Sequence, residues 1–176
     1  MGVTASMLLL VAKLWLHFSR VRLLPVLWTE NALLLGVGMG LGITVASAIV
    51  YRLWPAYQRC ADLYLEMVLK PLVLADLIWL GLLPGLSEEL LFRGLMLPAV
   101  GLNAIGVVVS SLCFGILHMS SPEQWPYGVW ASTVGLLLGF SALATGNLLV
   151  PIVAHILTNL ISSYLWKLKE KEIRKN

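Results

Sequence analysis

Charge is what this sequence has least of. Of its 176 residues only 12% are charged and 59% are apolar, where a soluble domain has about 25% charged and roughly 45–50% apolar residues. So few polar groups cannot cover a water-facing surface. That excludes an ordinary soluble domain and makes the lipid bilayer the fitting solvent. Cysteine is nearly absent: Cys60 and Cys113 do not make a disulfide framework, and Cys113, inside an apolar run, reads as a small packing residue. A large charge excess is also missing. The net charge of +3 comes largely from Lys167, Lys169, Lys171, Arg174 and Lys175, interleaved with Glu170 and Glu172. A basic tail beside an apolar helix fits a cytoplasmic flank better than a nucleic-acid patch, so no nucleic-acid partner is expected. The first residues lack a basic n-region, and Lys13 and His17 interrupt their apolar stretch. No cleavable signal peptide is therefore evident. There is no internal repeat, low-complexity segment or soluble domain.

What is present is a series of apolar runs. About 20 residues span the hydrocarbon as a helix, so the expected fold is an all-α polytopic transmembrane bundle of about five to six membrane helices. Residues 5–18 predict a short apolar helix. Residues 31–51 are the first clear span, where Gly36/Gly40 and Gly38/Gly42 form two G-x-x-x-G faces for close packing. These glycines are not a G-x-G-x-x-G loop and follow no strand. Residues 52–70 read as a polar interfacial connection with its own amphipathic helix. After residues 71–83, Pro84-Gly85 should kink or break the helix. Ser87 is then placed to N-cap a second piece, with Glu88 and Glu89 in its first turn, running to about Leu97 before Pro98. Helices are expected over 103–119, over 126–145 with a small Gly135/Gly139 face, and over 148–166, with Thr145-Gly146-Asn147 as a tight turn. The organisation expected is N-terminal helices and interfacial connection over 1–70, a core over 71–166 and a basic tail over 167–176. The tail, Arg52, Arg59 and Lys70 all argue for one cytoplasmic side. Arg20 and Arg22 then fall outside, against the same rule.

An ionisable group inside the membrane costs a few kcal/mol and usually faces a protein interior or a wet cavity. The set in question is Glu88, Glu89, Arg93, His118, His155 and Asn159. Glu89 and Arg93 are four apart on one helical face and can pair. Glu88 is turned about 100° away, free for general acid–base work. The competing reading is that both glutamates decorate a helix start at the membrane surface. His118 shares a face with Phe114, four residues earlier, and a lone histidine near a helix end is more often structural. His155 and Asn159, also four apart, either bond each other and backbone or point into a shared site. Three helices of a compact bundle can bring these groups together. Two histidines and a glutamate also make a three-ligand zinc set with one position left for water, although the H-E-x-x-H pattern is absent.

Glu88-Glu89-x-x-x-Arg93, Phe114-x-x-x-His118 and His155-x-x-x-Asn159 together resemble the three-motif signature of the CAAX protease and bacteriocin-processing family. These are the type II CAAX prenyl endopeptidase relatives, also called Abi proteins. Gly94, Ser110-Ser111, Thr145-Gly146-Asn147 and Pro151 fit the surrounding pattern, and the resemblance runs from about Leu72 to Leu165. It implies an all-helical intramembrane protease with a water-filled cavity. In that family pattern Glu88 activates the attacking water with help from His118. His155 and Asn159 stabilise the oxyanion, Glu89 pairs with Arg93, and Phe114 supports the site. The family is described both as glutamate-dependent and as metalloprotease. The resemblance thus leaves open a divalent metal such as Zn2+ on Glu88, His118 and His155, with direct activation by Glu88 favoured. The chain resembles the compact bacterial members, which implies an integral protein of a bacterial plasma membrane and a membrane-associated peptide or protein substrate, prenylated or not. Two other classes compete: a non-catalytic membrane binding or immunity protein of the same fold, and a small transporter or proton pathway. Against the transporter, there is no inverted repeat and no pair of matched broken helices.

Overall fold

The computed structural model describes residues 2–173. All regular elements among them are helical: α1 (Gly2–Phe18), α2 (Glu30–Leu53), α3 (Pro55–Leu69), α4 (Leu77–Glu89), α5 (Leu97–Val100), α6 (Ala104–Leu117), α7 (Trp125–Thr145) and α8 (Leu149–Ile173). Short 3-10 turns precede α4 and α7, and a π-helical stretch over Leu90–Met96 joins α4 to α5. The tail residues Arg174 and Lys175 lie outside the described residues.

Local chemistry sets several boundaries. Thr29 caps α2 by accepting from the Ala32 N–H at 3.2 Å, and Glu30 stands in the first turn, where a negative charge complements the helix dipole. Asn103 caps α6 by accepting from the Gly106 N–H at 3.0 Å. Pro55 and Pro126 occupy first turns of α3 and α7, where a missing N–H leaves no gap. Gly146 ends α7 with φ 60°, a left-handed conformation that glycine adopts without penalty.

Three helices are long and apolar enough to cross a bilayer: Glu30–Leu53, Pro122–Thr145 and Leu149–Lys171. The pair Pro55–Leu69 and Leu74–Val100, bent by 107°, makes a fourth if it is counted as one broken span. Gly2–Phe18 and Ala104–Leu117 are shorter apolar helices. Counting them brings the apolar helices into the range expected from sequence. The surface is apolar as well: Leu34, Val45, Ile105, Ile116 and Leu117 are all well exposed. Meanwhile Glu89, Arg93, Ser110 and Ser111 are buried. An apolar exterior over a polar interior is stable only in lipid. The protein is therefore an integral membrane protein.

The G-x-x-x-G faces divide. A Cβ on Gly36 would lie 2.7 Å from Val153 Cβ, and one on Gly40 2.9 Å from the Ala154 carbonyl oxygen, so this face packs directly on α8. Gly38 and Gly42 have nothing within 4 Å, so the second face expected to pack does not. Gly135 and Gly139 do form a contact face, against Ser111 and Arg93 and against Val107.

Two expectations are overturned near the glutamates. The helix does not break at Pro84-Gly85, and Ser87 is not an N-cap. α4 runs through both positions to Glu89, and the Ser87 hydroxyl donates back to the Leu83 carbonyl at 2.7 Å. Tertiary packing overrides the local break. Gly81 and Gly85 lie against α8, where a Cβ would meet Leu160 at 2.6 Å and Ile156 at 2.5 Å. Glu88 and Glu89 thus stand in the last turn of α4, and the irregularity comes after them, in the π-helical stretch. The helical path then continues past Leu97 and Pro98 to Val100. Proline at position 98 cannot supply an N–H to the carbonyl four residues earlier. That carbonyl, on Gly94, instead accepts from the Leu24 N–H at 3.0 Å. The irregular segment 19–29 is pinned again at Asn147, whose side chain accepts from the Leu27 N–H at 2.9 Å and donates to the Leu27 carbonyl at 2.8 Å. The last helix likewise does not stop at residue 166: α8 continues through Lys167–Lys171, and Lys167, buried, donates to Glu170 at 2.9 Å.

Candidate active site

The polar residues of α4, α6 and α8 meet in the bundle interior. Glu88, Phe114, His118, His155 and Asn159 all line one cavity of about 360 Å3. The core of the arrangement is a completely buried ion pair. Arg93 Nη1 donates to Glu89 Oε1 at 2.8 Å, Nη2 donates to the Gly135 carbonyl at 3.0 Å, and the guanidinium carbon lies 4.4 Å from the centre of the Phe114 ring. Gly135 permits this: a Cβ there would stand 3.1 Å from Nη2.

The same Glu89 oxygen is also 2.7 Å from His155 Nδ1. The spacing of motifs in the sequence did not reveal this bond, since it joins residues 66 positions apart on different helices. A buried carboxylate is an acceptor, so Nδ1 carries the proton and donates. His118 is held in a similar way: its Nδ1 lies 2.8 Å from the Phe114 carbonyl, which can only accept. Both rings therefore turn Nε2 toward Glu88. The separations from Glu88 Oε2 are 3.7 Å for His118 and 3.9 Å for His155. These are too long for direct hydrogen bonds and within reach of a shared water. Glu88 Oε2 is itself buried without a hydrogen-bond partner among the described residues. A buried acceptor left open costs roughly 1–3 kcal/mol, so the position is suited to a group that enters the cavity. Asn159 lies one turn beyond His155 on the same wall, and its side-chain amide makes no hydrogen bond among the described residues. The competing surface-decoration reading of the two glutamates fails on geometry, because Glu89 is fully buried and the Glu88 side chain is 15% exposed.

Two ligands about 2.05 Å from a tetrahedral ion stand about 3.3 Å apart, and the Glu88–histidine separations exceed that. No three His, Cys, Asp or Glu side chains among the described residues form a group that holds a metal ion. The zinc set that the resemblance left open on Glu88, His118 and His155 is therefore not preformed, and no step below runs through a metal.

Sequence reasoning missed the opposite wall. Tyr57, Asp62 and Tyr64 on α3 and Tyr127 and Trp130 on α7 line the same cavity. Tyr57 stacks on Tyr127 with ring centres 6.0 Å apart, and Tyr64 lies 5.0 Å from Tyr127. Tyr57 and Tyr64 are seven apart, and that spacing on one helix face was the available signal.

Fold and site together define a helical integral membrane protein whose interior cavity is built on a Glu–Arg–His network. Comparison with known proteins names the class more closely. Residues 70–161, more than half of the chain, match the family model described as type II CAAX prenyl endopeptidase Rce1-like. The chain belongs to that family. It is also similar to the uncharacterized protein YpbD of Bacillus subtilis, at 26% identity over 151 residues, covering 86% of this chain and 72% of YpbD. An uncharacterized protein of Mycoplasma capricolum matches at 36% identity over 83 residues, 46% of this chain and 24% of that protein. No solved structure matches.

Proposed function

We propose that this protein is an intramembrane endopeptidase that hydrolyses a peptide bond in a membrane-associated protein or peptide, including prenylated CAAX-type tails. Water between Glu88 and His118 loses its proton to the Glu88 carboxylate as its oxygen attacks the scissile carbonyl. His118, fixed by the Phe114 carbonyl, orients that water through Nε2. The oxyanion that forms accepts from the Asn159 amide and from His155 Nε2–H, the ring being an imidazolium that donates from Nδ1 to Glu89 at the same time, and a donor of this kind lowers the barrier by roughly 3–4 kcal/mol. The proton on Glu88 then passes to the leaving amine. Glu89, Arg93 and Phe114 touch no reacting atom in this scheme. They fix the His155 ring and keep a buried charge compensated. The membrane is that of a bacterium, with the basic end of α8 on the cytoplasmic side.

The observation that carries this reading is Glu88 Oε2, buried, without a hydrogen-bond partner among the described residues and facing two histidine Nε2 atoms at 3.7 and 3.9 Å. The test uses the full chain reconstituted in lipid vesicles with membrane-anchored peptides, prenylated and not. The wild type should cleave, and Glu88→Gln should still bind peptide without cleaving it. If Glu88→Gln retains every measurable property of the wild type, the site is a binding or immunity device and the hydrolase reading fails.

A further inference from the structure

The wall that faces the Glu88–histidine cluster has a chemistry of its own. Four aromatic rings, Tyr57, Tyr64, Tyr127 and Trp130, line the cavity from α3 and α7. They form a connected group, with Tyr57 6.1 Å from Trp130 in addition to the Tyr57–Tyr127 and Tyr64–Tyr127 contacts. Tyr57 is 7% exposed, and its hydroxyl makes no hydrogen bond among the described residues. Beside these rings stands Asp62, half-buried, which accepts from the Tyr51 hydroxyl at 2.6 Å and makes no ion pair among the described residues. Glu88 is the other carboxylate of the cavity. The cation that lines it is Lys169, whose Nζ lies 5.9 Å over the Tyr51 ring and forms no ion pair with Asp62.

Aromatic faces attract cations through their quadrupoles, by about 0.5–1 kcal/mol when exposed and about 2 or more when desolvated. A half-buried carboxylate without an ion-pair partner among the described residues adds to that attraction and gains from receiving a cation. An apolar guest would fit the rings but would leave Asp62 uncompensated and further desolvated. We propose that Tyr57, Tyr64, Tyr127 and Trp130 with Asp62 form a subsite for a lysine or arginine side chain of the peptide substrate. This rests on the peptidase reading and deepens it. The scissile bond sits against Glu88 while the basic side chain lies along the cavity side of the aromatic group and reaches Asp62. Three of these residues, Tyr57, Asp62 and Tyr64, lie on α3, outside the segment 70–161 that matches the family model.

The test separates this subsite from the hydrolase reading. Two lipid-anchored octapeptides, identical except for one lysine or norleucine, are titrated onto full-length Glu88→Gln protein in nanodiscs, with a farnesylated norleucine peptide as a third probe. The lysine peptide should bind at least tenfold more tightly than norleucine, and Asp62→Asn should remove that preference without changing norleucine binding. In active protein, Asp62→Asn should raise KM for the lysine peptide about tenfold and leave its kcat unchanged. If lysine and norleucine peptides bind alike, or Asp62→Asn weakens both equally, the subsite is refuted even where cleavage occurs. If farnesyl binds tightly while lysine gains nothing, the aromatic wall is an apolar lipid site and the proposal falls. If the lysine preference is present and depends on Asp62 but no peptide is cleaved, the subsite stands and the hydrolase reading fails.

Discussion

Replacing Arg93 by alanine tests the construction of the site at its most buried point. The guanidinium is fully buried, bonded to Glu89 at 2.8 Å and to the Gly135 carbonyl at 3.0 Å, and it covers Phe114 at 4.4 Å. Its removal leaves a buried carboxylate with one donor, His155, where it had two. Breaking one partner of a buried pair costs about 3–5 kcal/mol, much of it the penalty on the charge that remains. The Glu89→Gln change removes the charge and keeps an acceptor for His155 Nδ1, so it should cost less. The double variant Arg93→Ala/Glu89→Gln should then be more stable than Arg93→Ala alone. Unfolding of the purified protein in detergent micelles, followed by tryptophan fluorescence against denaturant, measures all three. A double-mutant cycle gives the coupling. A loss below about 1 kcal/mol for Arg93→Ala, with additive effects in the double variant, would refute the idea that this pair organises the interior.

The remaining predictions use other parts of the molecule. Gly36→Ala and Gly40→Ala should each lower stability by about 1–3 kcal/mol through overpacking against α8, while Gly38→Ala and Gly42→Ala, which face open space, should be neutral in the same unfolding assay. Asn159→Ala should reduce kcat about 10²–10³-fold with stability nearly unchanged, as expected for loss of one oxyanion donor. His155→Ala should remove cleavage while protein abundance in the membrane stays close to wild type, because Arg93 still compensates Glu89. Treatment with a strong chelator followed by dialysis should leave the cleavage rate unchanged, since Glu88 and the two histidines form no preformed ligand group. A rate that is lost and then restored by added Zn2+ would overturn that assignment.

Helix positions and the polar set were legible because scarcity made them so. In a chain this apolar each buried charge has to be compensated, and the four-residue spacing of Glu89 and Arg93 named its own partner. The tight turn at Gly146 follows from local backbone chemistry, so the sequence carries it directly, whereas the one cap expected, at Ser87, does not form and the caps at Thr29 and Asn103 were not anticipated. The helix path around Pro84-Gly85 was not legible. Local rules predict a break there, whereas α4 stays continuous because Gly81 and Gly85 seat it on α8, a contact between residues more than seventy positions apart. The same limit hid the Glu89–His155 bond and the aromatic wall. Both depend on which helix faces meet, and composition says nothing about that. Gly38 and Gly42 show the converse. The G-x-x-x-G pattern marks a face able to pack, and only the arrangement of neighbours decides whether it does.

The most direct test of the central claim follows the oxygen. Cleavage of a membrane-anchored peptide by reconstituted protein is run in H218O for a single turnover, and the new carboxyl terminus is weighed by mass spectrometry. Attack by a water beside Glu88 predicts one heavy oxygen in the new carboxylate, with the product absent from Glu88→Gln protein. Peptide that stays intact with wild-type protein, or labelled product formed at the same rate by Glu88→Gln, would contradict the account.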